Sequence, residues 1–593
     1  MLLGLGLSLF GSSAACVAAA AGDVQPAAQL PPGIPARIAQ TAELSPLRSF
    51  FLPPTRIIWQ SESGVKHAEN LLQPKPGQAV LKEPQPPCEL VSTADKTAGV
   101  LLDFGVEIQG YAELFVPMTK DKTPPKLRVR FGESAAEAMA ELGGKQNAQN
   151  DHALRDQVVE LPWLGKQTVG PSGFRFVRLD ATDPKLPVQL SQVRAVLVLR
   201  DLPYVGSFRC DDERLNRIWQ VGAYTVQLNM QEYLWDGIKR DRLVWLGDLH
   251  PEVSTINAVF GQTDIVPRSL DLIRNVTPPT EWMNGISSYS MWWVLIQEQW
   301  WMHYGDRAYL DAQKDYLAKL LRRLATFVGE DGKEKLDGMR FLDWPTFENK
   351  TAVHEGLQAM MLMTMESGAR LAKALGESST EKLCQDTAAK LRRHQPETSG
   401  RKSPAALLAL AGARDAKAVA AVLKLDGPKD LSTFYGFYVL QALAKSGDAD
   451  TALDFIRTYW GAMLDYGATT FWEDFDLAWT NNATRIDELV PAGKKDIHGD
   501  YGAHCYVGFR HSFCHGWASG PTTWLSQHVL GVQPLEPGFQ RVRITPQLGR
   551  LQWAEGAYPT PLGPIKVRHE RQADGSIKSR IDAPRGIKVE RAK

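Results

Sequence analysis

Hydrophobic residues recur at two different spacings along the chain, and the spacing changes twice. From residue 55 to about residue 203, short apolar or alternating runs are separated by Gly, Pro and Asp. These runs are Gly99–Phe104, Ala112–Val116, Leu127–Phe131, Phe174–Leu179 and Val193–Leu199. Short runs rich in β-branched and aromatic residues predict strands, and their number favours a β-sandwich over residues 55–203.

A helical spacing replaces this pattern between residues 204 and 531. Apolar residues there recur every three or four positions, as an amphipathic helix requires. The clearest segments are Leu317–Val328, Leu357–Leu375, Ala405–Leu423 and Tyr438–Trp460. Asp211 or Asp212 can cap the first helix. The spacing predicts a large helical domain, and strand signals that return in residues 532–593 predict a small β-domain after it.

The segment before residue 55 lacks both spacings. Residues 1–21 resemble a secretory signal, because an apolar run ends in small residues of Ala-x-Ala type, and they predict export to the periplasm or the extracellular space. Cys16 leaves lipid anchoring open as a second outcome of export. Residues 22–54 are rich in Pro, Ala and Gln, which predicts a linker. No later segment has the roughly 18 uninterrupted apolar residues that a membrane span needs.

Composition narrows the class of function. Lys+Arg and Asp+Glu both total 67, so no net charge would attract nucleic acid or an anionic membrane. The Cys residues are scattered and form no C-x-x-C pair, so neither a disulfide framework nor a zinc site is predicted. A Gly-rich phosphate loop, a His-Glu-x-x-His motif and a Gly-x-Ser-x-Gly elbow are all missing from the sequence. We therefore expect no cofactor and no metal; calcium stays open as an alternative, because loop carboxylates are abundant, although no EF-hand spacing is present.

Aromatic and charged residues are concentrated in one region. The chain has 17 Trp, and eight of them lie between Trp219 and Trp301. Within that region, Tyr233–Glu252 mixes charged and apolar side chains with no period of 2 or 3.6 residues. This mixture fits a sugar site, where rings lie on Trp faces and carboxylates act as acid and base. It fits a structural ion-pair network around a buried turn equally well.

Seven residues of this stretch form a pattern with a known counterpart. They are Asp236, Arg240, Arg242, Leu243, Trp245, Gly247 and Asp248. The pattern resembles the signature Asp-Cys-Pro-Gln-Arg-Glu-Arg-Leu-Gly-Trp-x-Gly-Asp of the α-L-rhamnosidases of glycoside hydrolase family 78. In that family the first Asp, the Arg and the last Asp bind the sugar, and the Glu is the general acid. The resemblance implies that Asp241, one methylene shorter than Glu, is the acid here.

The resemblance extends to three later segments. Gly467–Glu473 is similar to a family segment, Gly-Ala-Thr-Thr-x-Trp-Glu, whose Glu is the general base; here that residue is Glu473. His515 matches a family His that contacts the sugar or orients the base, and Trp344 matches a Trp that lines the cleft. Two of these residues have a purely structural alternative: Glu473 paired with an Arg, and His515 as a packing residue.

The family implies a fold and a reaction. The expected fold is a helical (α/α)6-barrel catalytic domain over residues 204–531, flanked by an N-terminal β-sandwich and a small C-terminal β-sandwich over residues 532–593. The expected activity is inverting exo-hydrolysis of terminal α-L-rhamnosides, with a carbohydrate as the partner. Asp236, Arg240 and Asp248 would bind sugar hydroxyls, with Trp245 as a stacking wall. We also expect Arg240 and Arg242 to face sugar or other carboxylates rather than to clamp Asp241.

Three alternatives remain open. Glu252, a spare carboxylate four residues after Asp248, could replace Asp241 as the acid. The same fold could act on a different sugar. The chain could also be a catalytically impaired glycan-binding homologue, because a one-methylene change can misplace an acid by about 1 Å, which can cost on the order of a hundredfold in rate.

Overall fold

The computed structural model of this protein describes residues 34, 35, 37, 42–119 and 123–591. The predicted signal over residues 1–21, with Cys16, lies outside the described residues, as does most of the predicted linker. The chain divides into two units, Met1–Ser45 and Pro46–Lys593, and the fold below is that of the second. Within the described ranges, none of the helices combines the length and the apolar character needed to cross a membrane.

Strands fill the second unit up to residue 200. They are β1 (Leu47–Leu52), β2 (Arg56–Gln60), β3 (Val65–Lys66), β4 (Cys88–Leu90), β5 (Gly99–Val116), β6 (Lys126–Gly132), β7 (Asp156–Glu160), β8 (Gly165–Ala181), β9 (Val188–Leu190) and β10 (Gln192–Arg200). One sheet has the order β1-β10-β5-β8-β6-β7, with β2 also on β5, and a second has the order β3-β4-β9. Buried apolar side chains from both sheets form a hydrophobic core of their own. The predicted linker is wrong at Leu47–Leu52, because these residues form a strand that pairs with β10.

Helices dominate the next region. They are α1 (Ala135–Met139, between β6 and β7), α2 (Glu213–Asn229), α3 (Leu246–Val259), α4 (Ile265–Val276), α5 (Ser287–Tyr304), α6 (Arg307–Thr326), α7 (Lys350–Leu375), α8 (Ser378–Leu391), α9 (Lys402–Leu410), α10 (Ala416–Lys424), α11 (Gly436–Ser446), α12 (Ala449–Phe455), α13 (Gly461–Asp465) and α14 (Gly520–Trp524). Their ends follow local chemistry. The Asp212 side chain accepts the N–H groups of Arg214 and Leu215 and so caps α2, as predicted.

Six of these helices close into a ring. Contacts run from α3 to α5, α7, α9, α11 and α14, and from α14 back to α3. Other helices pack outside it: α2 against α3 and α14, α8 against α7, and α10 against α9 and α11. The inner helices carry large buried side chains, including Trp292, Trp293 and Trp524, each at most 1% exposed. This arrangement of inner and outer helices is the predicted (α/α)6 barrel.

Two small sheets follow the barrel. One sheet joins β11 (Ser207–Cys210) to β16 (Trp553–Tyr558), β17 (Ile565–Arg571) and β18 (Ile577–Asp582). The other contains β14 (Val532–Pro534), β15 (Arg541–Ile544) and β19 (Lys588–Arg591), with β12 (Ala483–Thr484) and β13 (Lys495–Asp496) forming a separate pair. Ser207–Cys210 is a second correction: it lies in the segment assigned to the barrel but belongs to the C-terminal sheet.

Candidate active site

Asp236 shapes the loop between α2 and α3 that carries the signature residues. Its two carboxylate oxygens accept the N–H of Asp241 at 2.8 Å and the N–H of Leu243 at 3.0 Å. Burial raises the pKa of Asp236 to about 7, against the attraction of His515. Two backbone hydrogen bonds on one buried side chain fix the path of the loop. Asp236 therefore positions the loop, whatever further contact it makes with a sugar.

Arg240 connects the two carboxylates that the sequence assigns to acid and base. Its Nη2 lies 2.8 Å from Oε1 of Glu473, and its Nη1 lies 3.5 Å from Oδ1 of Asp241. Because both contacts share one guanidinium, these two oxygens are closer than about 9.5 Å, the upper end of the separation in inverting glycosidases. The guanidinium also faces the ring of Tyr506, at 5.3 Å from its centroid. The fold thus brings the two sequence-predicted carboxylates to one place.

Glu473 is fixed by the segment around residue 512. Its N–H donates to the Ser512 carbonyl at 2.9 Å, and its Oε2 accepts the Ser512 N–H at 3.1 Å. Its own carbonyl accepts the indole N–H of Trp517 at 2.8 Å. The side chain is only 4% exposed, so its orientation is set by these contacts rather than by solvent. The structural alternative for Glu473, a pair with an Arg, is observed, and that Arg is the signature residue Arg240.

His515 lies between two carboxylates. Its Nε2 is 3.1 Å from Oδ1 of Asp248, and its Nδ1 is 3.8 Å from Oε1 of Glu473. Burial alone would lower the pKa of His515, but Glu473 and the Asp248 hydrogen bond raise it to about 9. Burial raises the pKa of Asp248, against the His515 hydrogen bond. The Tyr289 hydroxyl donates to the other oxygen of Asp248 at 3.5 Å. The site therefore holds an imidazolium that both organises and neutralises its carboxylates.

Aromatic side chains surround these polar groups. Trp245 is half-buried and meets Tyr289 edge to face, with ring centroids 6.1 Å apart. A cavity is lined by Glu473, Asp474, Trp344, Tyr506 and Trp517, among others. Trp344 therefore faces the cavity that contains the second carboxylate. Flat apolar rings beside fixed carboxylates form a surface suited to a sugar ring.

Asp474 directly follows Glu473 in the sequence and is a further residue of the candidate site. It lines the same cavity. Burial, reinforced by the neighbouring Glu473, raises its pKa to about 7. Tyr506 and Trp517 were not singled out from the sequence at all, because aromatic residues on loops carry no signal that separates a cleft wall from a core.

Glu252 and Arg242 are placed differently from what the sequence suggested. Glu252 is 0% exposed, its two oxygens have no hydrogen-bond partner within the described ranges, and a Cβ on Gly516 would collide with it. Burial, with Asp248 nearby, raises its pKa well above the ordinary value. This carboxyl is fully buried and does not line the cavity that contains Glu473. Arg242 donates to the Ile238 carbonyl at 2.7 Å and to Gln109 at 3.0 Å, so the expectation that it faces sugar or a carboxylate is wrong.

The N-terminal sandwich reaches the signature loop through Lys239. Its Nζ lies 3.0 Å from Glu133, 3.2 Å from Glu137 and 2.8 Å from the Phe509 carbonyl that accepts from it. Glu133, Glu137 and His498 offer atoms close enough together to hold a metal ion. The ammonium of Lys239 lies against all three, 3.4 Å from His498 Nε2, and supplies the positive charge of this cluster.

His152 also comes from the sandwich, in the segment between β6 and β7. Its Nε2 lies 3.4 Å from Oδ1 of Asp241. Arg510 holds the same loop through a 3.0 Å contact with Asp151. A polar, Ala-rich segment gives no sequence signal for such a contact, since only the fold brings it to residue 241.

Comparison with known proteins matches two regions of the chain to known domain families. The family model of the bacterial α-L-rhamnosidase 6 hairpin glycosidase domain matches residues 203–398. The family model of the bacterial α-L-rhamnosidase C-terminal domain matches residues 531–590. An α-L-rhamnosidase of Alteromonas sp. (strain LOR) is 24% identical over 529 residues, which are 80% of this chain and 54% of that protein. The chain thus spans about half the length of this curated relative.

Two solved structures show the same fold. The rhamnosidase of glycoside hydrolase family 78 from Bacillus sp. GL1 has a TM-score of 0.69 at 22% identity, over 88% of this chain and 55% of that one. A rhamnosidase from Klebsiella oxytoca, solved with rhamnose bound, has a TM-score of 0.64 at 19% identity, over 81% of this chain and 96% of that one. The predicted helical barrel with β-domains on both sides is confirmed.

Proposed function

We propose that this chain, which carries the six-hairpin glycosidase and C-terminal domains of the bacterial α-L-rhamnosidases, is an inverting exo-glycosidase. Its substrate is a terminal α-L-rhamnose, or a closely related sugar, on an oligosaccharide, polysaccharide or glycoside. The observation that carries the proposal is the joint contact of Arg240 with Asp241 and Glu473, at 3.5 and 2.8 Å. It holds two carboxylates within about 9.5 Å of each other, as inverting hydrolysis of a glycosidic bond requires.

Asp241 has the exposure expected of the acid. Its side chain is 23% exposed, against 4% for Glu473, so it can meet a leaving group at the mouth of the site. In the reaction, the Asp241 carboxyl gives its proton to the glycosidic oxygen as the bond to the anomeric carbon breaks. The oxygen leaves as a hydroxyl group, and Asp241 is left as a carboxylate.

Glu473 has the surroundings expected of the base. It removes a proton from a water molecule that attacks the anomeric carbon from the opposite face of the ring. The positive charges of Arg240 and His515 lie 2.8 and 3.8 Å from its Oε1. They orient the carboxylate, and they leave Oε2 with a single backbone donor, Ser512 N–H. Attack from the face opposite the leaving group inverts the anomeric configuration.

The remaining predicted residues bind and orient the sugar. His515 and Tyr289 hold Asp248 at the start of α3. There its carboxylate can accept hydrogen bonds from the hydroxyl groups of the sugar. Trp245, beside Tyr289, and Trp344, which lines the cavity with Glu473, provide apolar faces for the sugar. Charge-assisted hydrogen bonds combined with stacking would fix one orientation of the ring, which lowers the entropic barrier to reaction.

Two variants, each assayed on two substrates that differ in their leaving group, test the assignment. Asp241→Asn should lose little activity on an aryl α-L-rhamnoside with an activated leaving group, and on the order of a hundredfold or more on a rhamnosyl disaccharide. Glu473→Ala should lose activity on both, and azide should restore turnover as a glycosyl azide of inverted configuration.

Two results would redirect the proposal. Equal losses on both substrates in Asp241→Asn would assign Asp241 to sugar binding. Tight binding of L-rhamnose by the wild-type protein, with no monosaccharide released from any glycoside tested, would support a glycan-binding homologue in place of an enzyme.

A further inference from the structure

The inner helices of the barrel enclose a second cavity, which none of the signature residues lines. Its volume is about 330 Å³. The residues that line it come from α3, α5, α7, α9 and α11, and from Gln527, which follows α14. Cavities that bind small molecules in proteins measure roughly 300–1,000 Å³, and they combine apolar walls with a few polar groups. The second cavity is therefore large enough for one small organic molecule.

This cavity lies at the opposite end of the inner helices from the candidate active site. Asp248 is in the first turn of α3, and Ser254, which lines the second cavity, follows about 9 Å further along the helix axis. Ser403, at the start of α9, donates to Asp343 of the candidate-site cavity at 2.8 Å. Leu410, the last residue of α9, lines the second cavity. A molecule bound there would leave the proposed catalytic site open.

Three packed rings form one wall of the second cavity. His250 Nδ1 and the hydroxyl of Tyr438 are joined by a hydrogen bond of 3.0 Å, and the planes of the two rings differ by 17°. Trp292 stacks against both rings, with centroid distances of 4.7 Å to His250 and 5.0 Å to Tyr438. Because each ring is held by the other two, the wall is in place before a ligand arrives, which lowers the entropic cost of binding.

His250 has one ring nitrogen in use and one available. Nδ1 is bonded to Tyr438, whereas no residue within the described ranges is hydrogen-bonded to Nε2. Burial lowers the pKa of His250 to about 3, so the imidazole is neutral. In a neutral imidazole, Nε2 either donates or accepts, according to the tautomer. A hydroxyl group can donate and accept, so it is a suitable partner for Nε2 in both tautomers.

The other lining residues are mostly apolar or uncharged. The amide side chains are those of Gln299, Gln441 and Gln527. The carboxylate of Glu298 accepts from Arg370 Nη2 at 2.9 Å, so its charge is compensated. The apolar side chains are those of Leu295, Met302, Met363, Leu410 and Phe437. An ionised ligand would meet no free opposite charge in this lining and would lose its hydration, so the lining favours an uncharged ligand.

We propose that the second cavity is a separate ligand site, which binds an uncharged aromatic compound with a hydroxyl group, a phenol. The aromatic body packs against the Leu and Met side chains, and the hydroxyl group forms a hydrogen bond with His250 Nε2. Met side chains adapt to flat rings and make favourable sulfur–aromatic contacts. A monosaccharide fits less well, because several of its hydroxyl groups would face apolar side chains without a hydrogen-bond partner.

The test titrates the intact chain with 2-naphthol by isothermal titration calorimetry, with and without an excess of L-rhamnose. We expect one molecule to bind per chain, with the same affinity in both titrations. Leu410→Trp fills the cavity and should weaken binding about tenfold or more. His250→Phe keeps a ring but removes Nε2, and it should weaken binding about tenfold. The control Leu562→Trp changes a 52% exposed residue of the C-terminal domain and should bind as the wild type does.

Four results would overturn the phenol site. They are no binding of 2-naphthol, displacement of 2-naphthol by L-rhamnose, wild-type affinity in Leu410→Trp, and wild-type affinity in His250→Phe. If Leu410→Trp does not fold, Met302→Trp fills the same cavity from α5 and gives the same comparison. Binding of L-rhamnose that is lost in Leu410→Trp would show a sugar site instead. Because calorimetry requires no turnover, a protein that hydrolyses no rhamnoside would refute the proposed function and leave this test intact.

Discussion

Arg240 Nη2 donates a hydrogen bond to Oε1 of Glu473 at 2.8 Å, although the two residues are 233 positions apart in the sequence. Both side chains are buried, at 5% and 4% exposure. The pair joins the loop before α3 to the loop that precedes the last inner helix. Because the same guanidinium contacts Asp241, the positions of the proposed acid and the proposed base depend on one residue.

Replacing Arg240 by Lys should separate charge from geometry. A Lys ammonium is a compact charge and cannot contact Asp241 and Glu473 together as a planar guanidinium does. We expect a fall in kcat/KM on the order of a hundredfold, as for a misplacement of about 1 Å, with folding retained. The matched control is Arg392→Lys, whose side chain is 48% exposed and pairs with Glu366; it should leave kcat/KM unchanged. Wild-type kcat/KM in Arg240→Lys would show that the shared contact has no catalytic role.

Lys239→Met should destabilise the protein strongly. The substitution leaves Glu133 and Glu137 buried and without the ammonium that compensates them, and breaking such a pair costs about 3–5 kcal/mol. Lys382→Met removes an exposed pair with Asp386 and should cost at most about 1 kcal/mol. Urea unfolding followed by tryptophan fluorescence measures both. A loss in Lys239→Met no larger than in the control would mean that water already compensates the two carboxylates.

His515 should make stability fall as pH rises. Its pKa in the folded protein is about 9, above the ordinary 6.5, so its contribution is fully present below pH 6.5 and is lost as pH rises through 9. The contribution amounts to on the order of 3 kcal/mol for a buried group. In urea unfolding at pH 6, 7.5 and 9, His515→Asn should show a shallower fall than wild type, while His67→Asn should follow wild type. Parallel curves for wild type and His515→Asn would mean that the imidazole is not charged between its carboxylates.

Glu252→Gln should stabilise the protein at neutral pH. The buried carboxyl stays protonated well above its ordinary pKa of 4.5, whereas the unfolded chain ionises there, so wild-type stability falls as pH rises above 4.5. The difference in favour of the neutral Gln should grow by up to about 1.4 kcal/mol per pH unit. Unfolding at pH 5 and pH 7.5 measures it. Activity lost selectively on poor leaving groups would instead return the acid role to Glu252.

Local patterns predicted much of the fold because strand and helix spacing are local properties. The switch near residue 204 and the Asp212 cap are of this kind. Ser207–Cys210 and Leu47–Leu52 could not be assigned to their sheets in the same way, since a strand's partners are set by contacts far away in the sequence. A short apolar run does not specify which sheet completes it.

The residues of the candidate site show the same difference between local patterns and contacts that are distant in the sequence. The signature residues and Glu473 could be named from motifs, and the fold brings Asp241 and Glu473 to the guanidinium of Arg240. His152 and Lys239 act across the boundary between the sandwich and the barrel, which no spacing encodes. Arg242 was misjudged because a charged residue beside an acid in the sequence need not face it; here its guanidinium turns to Ile238 and Gln109.

The most direct measurement follows the anomer released by the wild-type protein. An aryl α-L-rhamnoside is hydrolysed in an NMR tube, and the anomeric proton of the free sugar is recorded before mutarotation equilibrates it. The account predicts that β-L-rhamnose appears first, because Glu473 activates water on the face opposite the bond that Asp241 protonates. Initial release of α-L-rhamnose, or no release of rhamnose at all, would contradict it.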